Sequence, residues 1–217
     1  MSNRTFQSVV QRLVPNVPGC PHPVIEQYVR DAAIDACEKT LAWRHKQPQI
    51  RLTPGVYDYP YELPNGADIH AFLTVSVNGR PLRVVTIEEL YHIYPDFPNY
   101  DPDKRGQPRY IFQVSPRMFG VAPMPDTDEP YDLTMVVALK PLRESFEMNK
   151  TALDELENAV MHGALKHLLM MPDKNWTSDR LAAFHAGQYS ARLAERRARA
   201  NLGAGRASLS VQMRPFA

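Results

Sequence analysis

The sequence predicts an α+β fold: a small antiparallel helical bundle, interrupted by an inserted β-rich lobe and followed by an extended C-terminal arm. Three observations predict it. Apolar residues recur at helical spacing in the first 44 residues and again after Pro141. Between those stretches the period drops to two, and turn residues punctuate it. The last dozen residues, Arg206 to Ala217, have no helical period. Helices that flank an insertion bury their apolar faces against each other. The expected division is 1–47 with 142–203 as a discontinuous bundle, 48–141 as the β-rich lobe, and 204–217 as the arm.

Phe6, Val9, Val10 and Leu13 mark a short amphipathic helix that Pro15 stops. Residues 14–23, with Pro15, Pro18, Pro21 and Pro23, then form a rigid non-helical elbow. From Pro23 to about Arg44, Ile25, Tyr28, Val29, Ala32, Ala33, Ala36, Cys37 and Leu41 share one helix face. Pro23 suits the first turn, where its missing N–H is not needed, and Pro48 ends the segment.

Gln49 to Leu52 alternates, and Thr53-Pro-Gly55 turns. Ile69 to Val77 reads as a strand that meets Asn78-Gly79, a strong hairpin signal, with Leu82 to Val85 returning. Thr86-Ile-Glu-Glu89 is a capping box before a two-turn helix. Residues 97–108 read as a polar, proline-rich loop. Arg109 to Val114 and Met118 to Ala122 form a hairpin around Ser115-Pro116, and Tyr131 to Leu139 is the last strand. Gly79, Gly106 and Gly120 read as turn residues.

Thr151 to Asp154 resembles a helix cap. Leu153, Leu156, Val160, Ala164, Leu168 and Met171 form the face of that helix, which Pro172 ends. Thr177 then caps an alanine-rich helix running to about Ala200, with Trp176 stapled onto Leu181.

The chain has 217 residues, 44% hydrophobic and 23% charged, with a net charge of +1. That composition is ordinary for a globular protein and supplies no global field toward nucleic acid or anionic lipid. Twenty prolines exceed the usual ~5% and cluster between Pro95 and Pro130. Cys20 and Cys37 are too few for a disulfide framework or a zinc quartet. The N-terminus lacks a signal peptide's apolar core, and no run reaches the roughly 20 apolar residues of a membrane span. Synthesis and folding in a cytosol are expected.

No motif specifies an enzyme. His162 and His167 lack the spacing of H-E-x-x-H, and Asp154, Glu155 and Glu157 open a helix, where carboxylates favour the dipole. Asp96, Asp101 and Asp103 lack the twelve-residue calcium-loop spacing. No catalytic residue, metal or cofactor is expected.

The interaction signals are stronger. Arg192, Arg196 and Arg199 share one face of the last helix; they complement its C-terminal dipole or meet acid on DNA or a protein partner. Alanines at 182, 183, 186, 191, 194, 198 and 200 serve ordinary bundle packing or a subunit contact. Leu209, Val211 and Met213 alternate before Pro215 and Phe216, as a frayed end or a docking arm would.

Seven pieces, in order, resemble the head–tail adaptors of tailed bacteriophages, also called connector or tail-tubular-protein-A-like proteins. They are Leu13-Val-Pro-Asn-Val-Pro-Gly-Cys-Pro21, Ile25-Glu26 with Arg30-Asp-Ala-Ala-Ile34, Thr40-Leu-Ala-Trp-Arg-His45, Asn78-Gly-Arg-Pro-Leu82, Pro108-Arg-Tyr110, Val137-Ala-Leu-Lys-Pro141 and Arg197-Ala-Arg-Ala-Asn201. The resemblance implies a dodecameric ring beneath the portal in the virion, walled by the bundle, with DNA passing through its lumen. It also implies that the C-terminal arm docks into the portal and the β lobe faces a nozzle or tail-tube protein. Portal contact then falls to Arg206, Leu209, Val211, Met213, Arg214, Pro215 and Phe216. Subunit or partner contact falls to Arg192, Arg196 and Arg199, and tail-protein contact to Asn78, Gly79 and Tyr100. The alternatives are a DNA-associated packaging protein using the arginine helix and, behind it, a cell-wall-degrading tail enzyme.

Overall fold

The computed structural model describes residues 2–99, 102–127 and 130–202. The chain opens with strand β1 (Asn3–Thr5) and helix α1 (Gln7–Leu13), and a 3-10 turn (Val14–Asn16) leads toward α2 (His22–Thr40). Strands β2 (Arg44–Lys46), β3 (Ile50–Leu52), β4 (Asp58–Pro60), β5 (Ala67–Val77), β6 (Arg80–Pro81) and β7 (Arg83–Val84) precede helix α3 (Ile87–Ile93). After a second 3-10 turn (Pro102–Lys104) come β8 (Tyr110–Ser115), β9 (Met118–Ala122), β10 (Tyr131–Pro141) and β11 (Glu147–Asn149). Two helices follow, α4 (Lys150–Leu168) and α5 (Asp179–Leu202). The fold is α+β, with antiparallel and mixed sheets.

The proline elbow is partly helical: Pro15 continues the turn after α1 instead of ending it, because a 3-10 turn accepts proline near its start. Helix α2 stops short of Arg44. Leu41 takes the left-handed conformation at φ 54°, and its N–H closes on Cys37 O at 2.9 Å. The chain then straightens, and Arg44–Lys46 become a strand on β10.

Strand β10 organises the main sheet. It pairs antiparallel with β5, β2 and β3, so both its edges are used. Leu133, Met135, Val137 and Leu139 are buried, with Ala138 beside them, while Asp132, Thr134 and Val136 are half-buried, so up to Val136 the strand alternates between an inner and an outer face. One core unites this sheet with the helices. Val29, Ala33, Ala36 and Cys37 of α2, Leu153, Leu156 and Val160 of α4, and Leu133 and Val137 of β10 belong to it. The Lys140 ammonium pairs with Glu38 at 2.7 Å, tying β10 to α2.

Past the Asn78-Gly79 tip the chain does not simply return along β5. Only β6 pairs there; β7 crosses to a second sheet, ordered β4-β9-β8-β7, and lies parallel to β8. Leu82 belongs to the main core, whereas Val85 belongs to a second one with Leu90, Phe97, Phe112, Ala122 and Met124. The crossing lets neighbouring residues fill separate cores. Gly120 is a strand residue, not a turn residue. It faces Phe112 across β8–β9, and a Cβ there would lie 2.3 Å from the ring.

Two caps lie next to their expected positions. Asn149, not Thr151, caps α4 by accepting from Ala152 N–H at 3.1 Å. Ser178 stands in the capping position of α5: its carbonyl accepts from Ala182 N–H at 2.9 Å and its hydroxyl lies 3.5 Å from Leu181 N. Trp176 donates to Leu168 O at 3.2 Å and packs on the main core, while Leu181 is exposed, so no staple joins them. The β1–β11 ladder had no sequence signal, since each strand has three residues. Arg4 of β1 reaches Asp154 at 2.5 Å and Glu157 at 3.2 Å, and Arg12 reaches Glu157 at 2.9 Å. The carboxylates that open α4 therefore clamp the N-terminal segment.

Phe112 is held edge-on by Phe97 and cannot swing aside. Gly120→Ala is expected to cost about 1–3 kcal/mol through overpacking. Chemical denaturation should show a lower midpoint with an unchanged slope.

Candidate functional site

The exposed surfaces that could carry an assembly function include the β7–α3 segment, where Val84, Ile87, Tyr91 and Ile93 are exposed, and helix α5. This helix packs on α4 and α2 through Ala182 and Tyr189, both buried, and through the half-buried Leu193. Its other face has no partner among the described residues. Phe184 is 55% and Leu181 43% exposed, although both are large and apolar. Ala183, Gly187, Ala191, Ala194 and Ala198 are exposed beside them, and only Ala182 of the alanine series is fully buried. The side chain of Ala200 lies outside the described set. Ala183, Ala191, Ala194 and Ala198 are thus left open by the described residues.

The three arginines share one face of the continuous helix but differ in exposure. Arg192 is exposed and donates to Glu195 at 3.2 Å, while Arg196 is half-buried and Arg199 exposed. Exposed pairs of the Arg192–Glu195 kind contribute little, about 0.2–1 kcal/mol.

On the inner side, Tyr189 donates to Asp35 of α2 at 2.5 Å, and Lys39 bonds the same carboxylate at 2.8 Å. The Lys166 ammonium sits 4.1 Å from the Tyr189 ring centroid. Burial pushes the Asp35 carboxyl up, but the bonds from Lys39 and Tyr189 more than offset this and leave it below its ordinary range. Burial and the bond to Asp35 push Tyr189 upward, so the phenol stays a donor. Lys39, Lys166 and Arg197 line a groove of about 570 Å³ with Tyr189, Ser190 and Leu193. The groove is basic, although the whole chain is near neutral. Sequence reasoning missed it because its cations come from three helices.

His162 of α4 also has an unforeseen partner. Its Nδ1 lies 2.8 Å from Nδ1 of His185 on α5. Two neutral rings satisfy this contact with one proton between them; two imidazolium rings repel. His167 stacks on Tyr28 instead.

The hairpin tip is exposed but tied down. The Asn78 side chain donates to Pro130 O at 3.0 Å and accepts from Asp132 N–H at 2.9 Å. Asn78 and Gly79 take positive φ, 48° and 78°, as a two-residue hairpin turn requires. Asp96 pairs with Lys104 at 3.1 Å. Tyr100 and all the arm residues, Arg206, Leu209, Val211, Met213, Arg214, Pro215 and Phe216, lie outside the described residues. Among the described residues no helix is long and apolar enough to cross a membrane. Cys20 and Cys37 are both buried, and burial with the nearby Glu38 pushes the Cys37 thiol up to about 12.

The histidine pair sets a pH dependence. Burial lowers both rings' affinity for protons; for His162 the charges of His185 and Arg192 add to this. The unfolded chain then binds more protons than the folded one below the ordinary histidine value of about 6.5. Stability is full above that pH and falls as pH drops through it. His185→Gln is expected to flatten the fall in Tm between about pH 7 and 5, measured by thermal melts across that range. His162, lowered first by its own burial, and His167, lowered by burial and by Lys166, supply the slope that remains.

No curated protein matches the chain. A family model described as SU10 adaptor protein matches residues 4–214. That match spans both helical segments, both sheets and most of the residues beyond α5. The family is one of structural phage adaptors rather than enzymes, so its members work as virion parts among other phage structural proteins. Matched along nearly its whole length, the chain belongs to the SU10 adaptor protein family.

Proposed function

We propose that this adaptor forms a dodecameric ring beneath the portal of a tailed phage, joins it to the tail nozzle or tube, and leaves a channel for DNA. The observation that carries the reading is the adaptor-family match over residues 4–214. In this reading residues 1–47 and 142–203 build the ring wall, and 48–141 form the lobe that faces the tail. The exposed face of α5 meets the next copy: Phe184 and Leu181 supply apolar area, and Ala191, Ala194 and Ala198 let backbones approach. Arg192, Arg196 and Arg199 contact that subunit or a partner. Arg206, Leu209, Val211, Met213, Arg214, Pro215 and Phe216 anchor the arm in the portal. The Asn78–Gly79 tip, with Tyr100, touches the next tail protein. A net charge of +1 suits a conduit through which DNA must slide, because a lumen of arginines would bind phosphate tightly.

Electron microscopy of the protein mixed with the portal from the same genome tests the reading. A ring stacked on the portal is expected, and deletion of 206–217 is expected to abolish it while the circular dichroism spectrum stays unchanged. A bare portal beside free protein would remove the reading and make salt-dependent DNA binding by the arginine-rich helix the next test. Phe184→Asp is expected to fold normally and fail to form the ring, because it places a charge in an apolar contact.

A further inference from the structure

The groove on the inner side of α5 holds more positive charge than its surroundings balance. Lys39, Lys166 and Arg197 line it, and they come from α2, α4 and α5 respectively. Along α5, Ala186, Ser190, Ala194 and Arg197 recur at helical spacing and share one stripe of its wall. The first three are small, so the space of about 570 Å³ stays open beside the cations. Lys39 and Arg197 are exposed and Lys166 is half-buried. The Lys166 ammonium lies 4.1 Å from the Tyr189 ring centroid and the Lys39 ammonium 5.7 Å from the same centroid.

The nearby carboxylates do not offset these cations. Asp35 is not part of the groove wall, and one of its oxygens already accepts from both Lys39 and Tyr189. Glu38 is engaged by Lys140 at 2.7 Å and Glu195 by Arg192 at 3.2 Å. Asp31 bears on His167 rather than on Lys166. Lys166 and Arg197 form no ion pair among the described residues. Glu195 is also the last acidic residue of the chain, and Arg206 and Arg214 follow α5. Even with Asp35 set against Lys39, two positive charges have no counterpart at the groove.

The donors define what would satisfy them. Ammonium and guanidinium groups donate and do not accept, and Ser190 adds a hydroxyl that rotates to donate. The Tyr189 hydroxyl is committed to Asp35. The groove therefore calls for an acceptor with about two negative charges. A carboxylate or a phosphodiester carries one, whereas a phosphate monoester carries roughly −1.5 to −2 near neutral pH. Lysine and arginine together are the usual partners of phosphate oxygens.

We infer that this groove binds a phosphate dianion, free or at the end of an ester, between the Lys39 and Lys166 ammoniums and the Arg197 guanidinium. A phosphate held there ties the second half of α5 to α2 and α4. The inference depends neither on the ring nor on the C-terminal arm.

The test is calorimetric titration of the full chain with inorganic phosphate at constant ionic strength and mildly alkaline pH. Saturable binding is expected, with acetate and dimethyl phosphate, each carrying a single charge, at least tenfold weaker. Methyl phosphate separates the sources: binding within threefold of inorganic phosphate assigns the groove to a terminal ester, and tenfold weaker binding assigns it to the free ion. Lys166→Gln and Arg197→Gln should each weaken phosphate at least fivefold. Arg180→Gln, at an exposed position of α5 outside the groove, should leave it unchanged. Arg197 is exposed, so its variant should keep the Tm of the parent without phosphate. Added phosphate should raise Tm more in the parent than in Arg197→Gln, which separates binding from the general stabilisation that phosphate salts produce. Absence of saturable binding, equal binding of acetate or dimethyl phosphate, or undiminished binding by Arg197→Gln would each overturn the inference.

Discussion

The close approach of three helices at Gly163 is the constraint on which the helical half depends. A Cβ at that position would lie 3.0 Å from the Ala32 methyl of α2 and 3.0 Å from the Tyr189 ring of α5. Glycine costs helix propensity of roughly 1 kcal/mol relative to alanine. Here it lets α4 lie tightly against two neighbours at once. The approach sets Tyr189 against Asp35 and Lys166, and so orients α5. The outward face of α5, the basic groove and the direction in which the chain leaves the described region all follow from that placement.

Strand β10 plays the corresponding part in the sheet. Because β2, β3 and β5 all pair with it, both its edges are closed, and α2 packs on it. The second sheet reaches the first through a short crossing at Leu82, where consecutive apolar residues serve two cores. Each core keeps its own aromatic packing. Tyr59 and Tyr61 rest on Phe119 in one, and Phe97 meets Phe112 and Tyr57 in the other.

An adaptor needs surfaces more than a cavity for chemistry, and the ionisable groups of this chain fit that need. The carboxylates that open α4 are engaged by Arg4 and Arg12, where they hold the N-terminal strand. Asp35, Lys39, Lys166 and Tyr189 form a knot between helices. What is left unmatched among the described residues is of another kind, and includes an apolar and small-residue face on α5, exposed apolar residues of β7 and α3, and three buried polar atoms around β2.

Pattern alone determined much of the architecture. The apolar spacing of Ile25 to Cys37 and of Leu153 to Leu168 produced α2 and α4, because a helix repeats a face every 3.6 residues and burial selects it. Asn78-Gly79 specified its hairpin, since both residues tolerate positive φ. The apolar run from Tyr131 to Leu139 marked β10, whose buried and half-buried residues alternate up to Val136. Seven short motifs were enough to reach the adaptor family. Tertiary structure alone decided the rest, because these features join residues distant in sequence. They include the end of α2 at Leu41, the β1–β11 ladder, the crossing at Leu82, the burial of Gly120 beneath Phe112, the His162–His185 pair and the cations of the α5 groove. A local pattern records which face of an element is apolar; it does not record which other element that face, or a single polar atom, will meet.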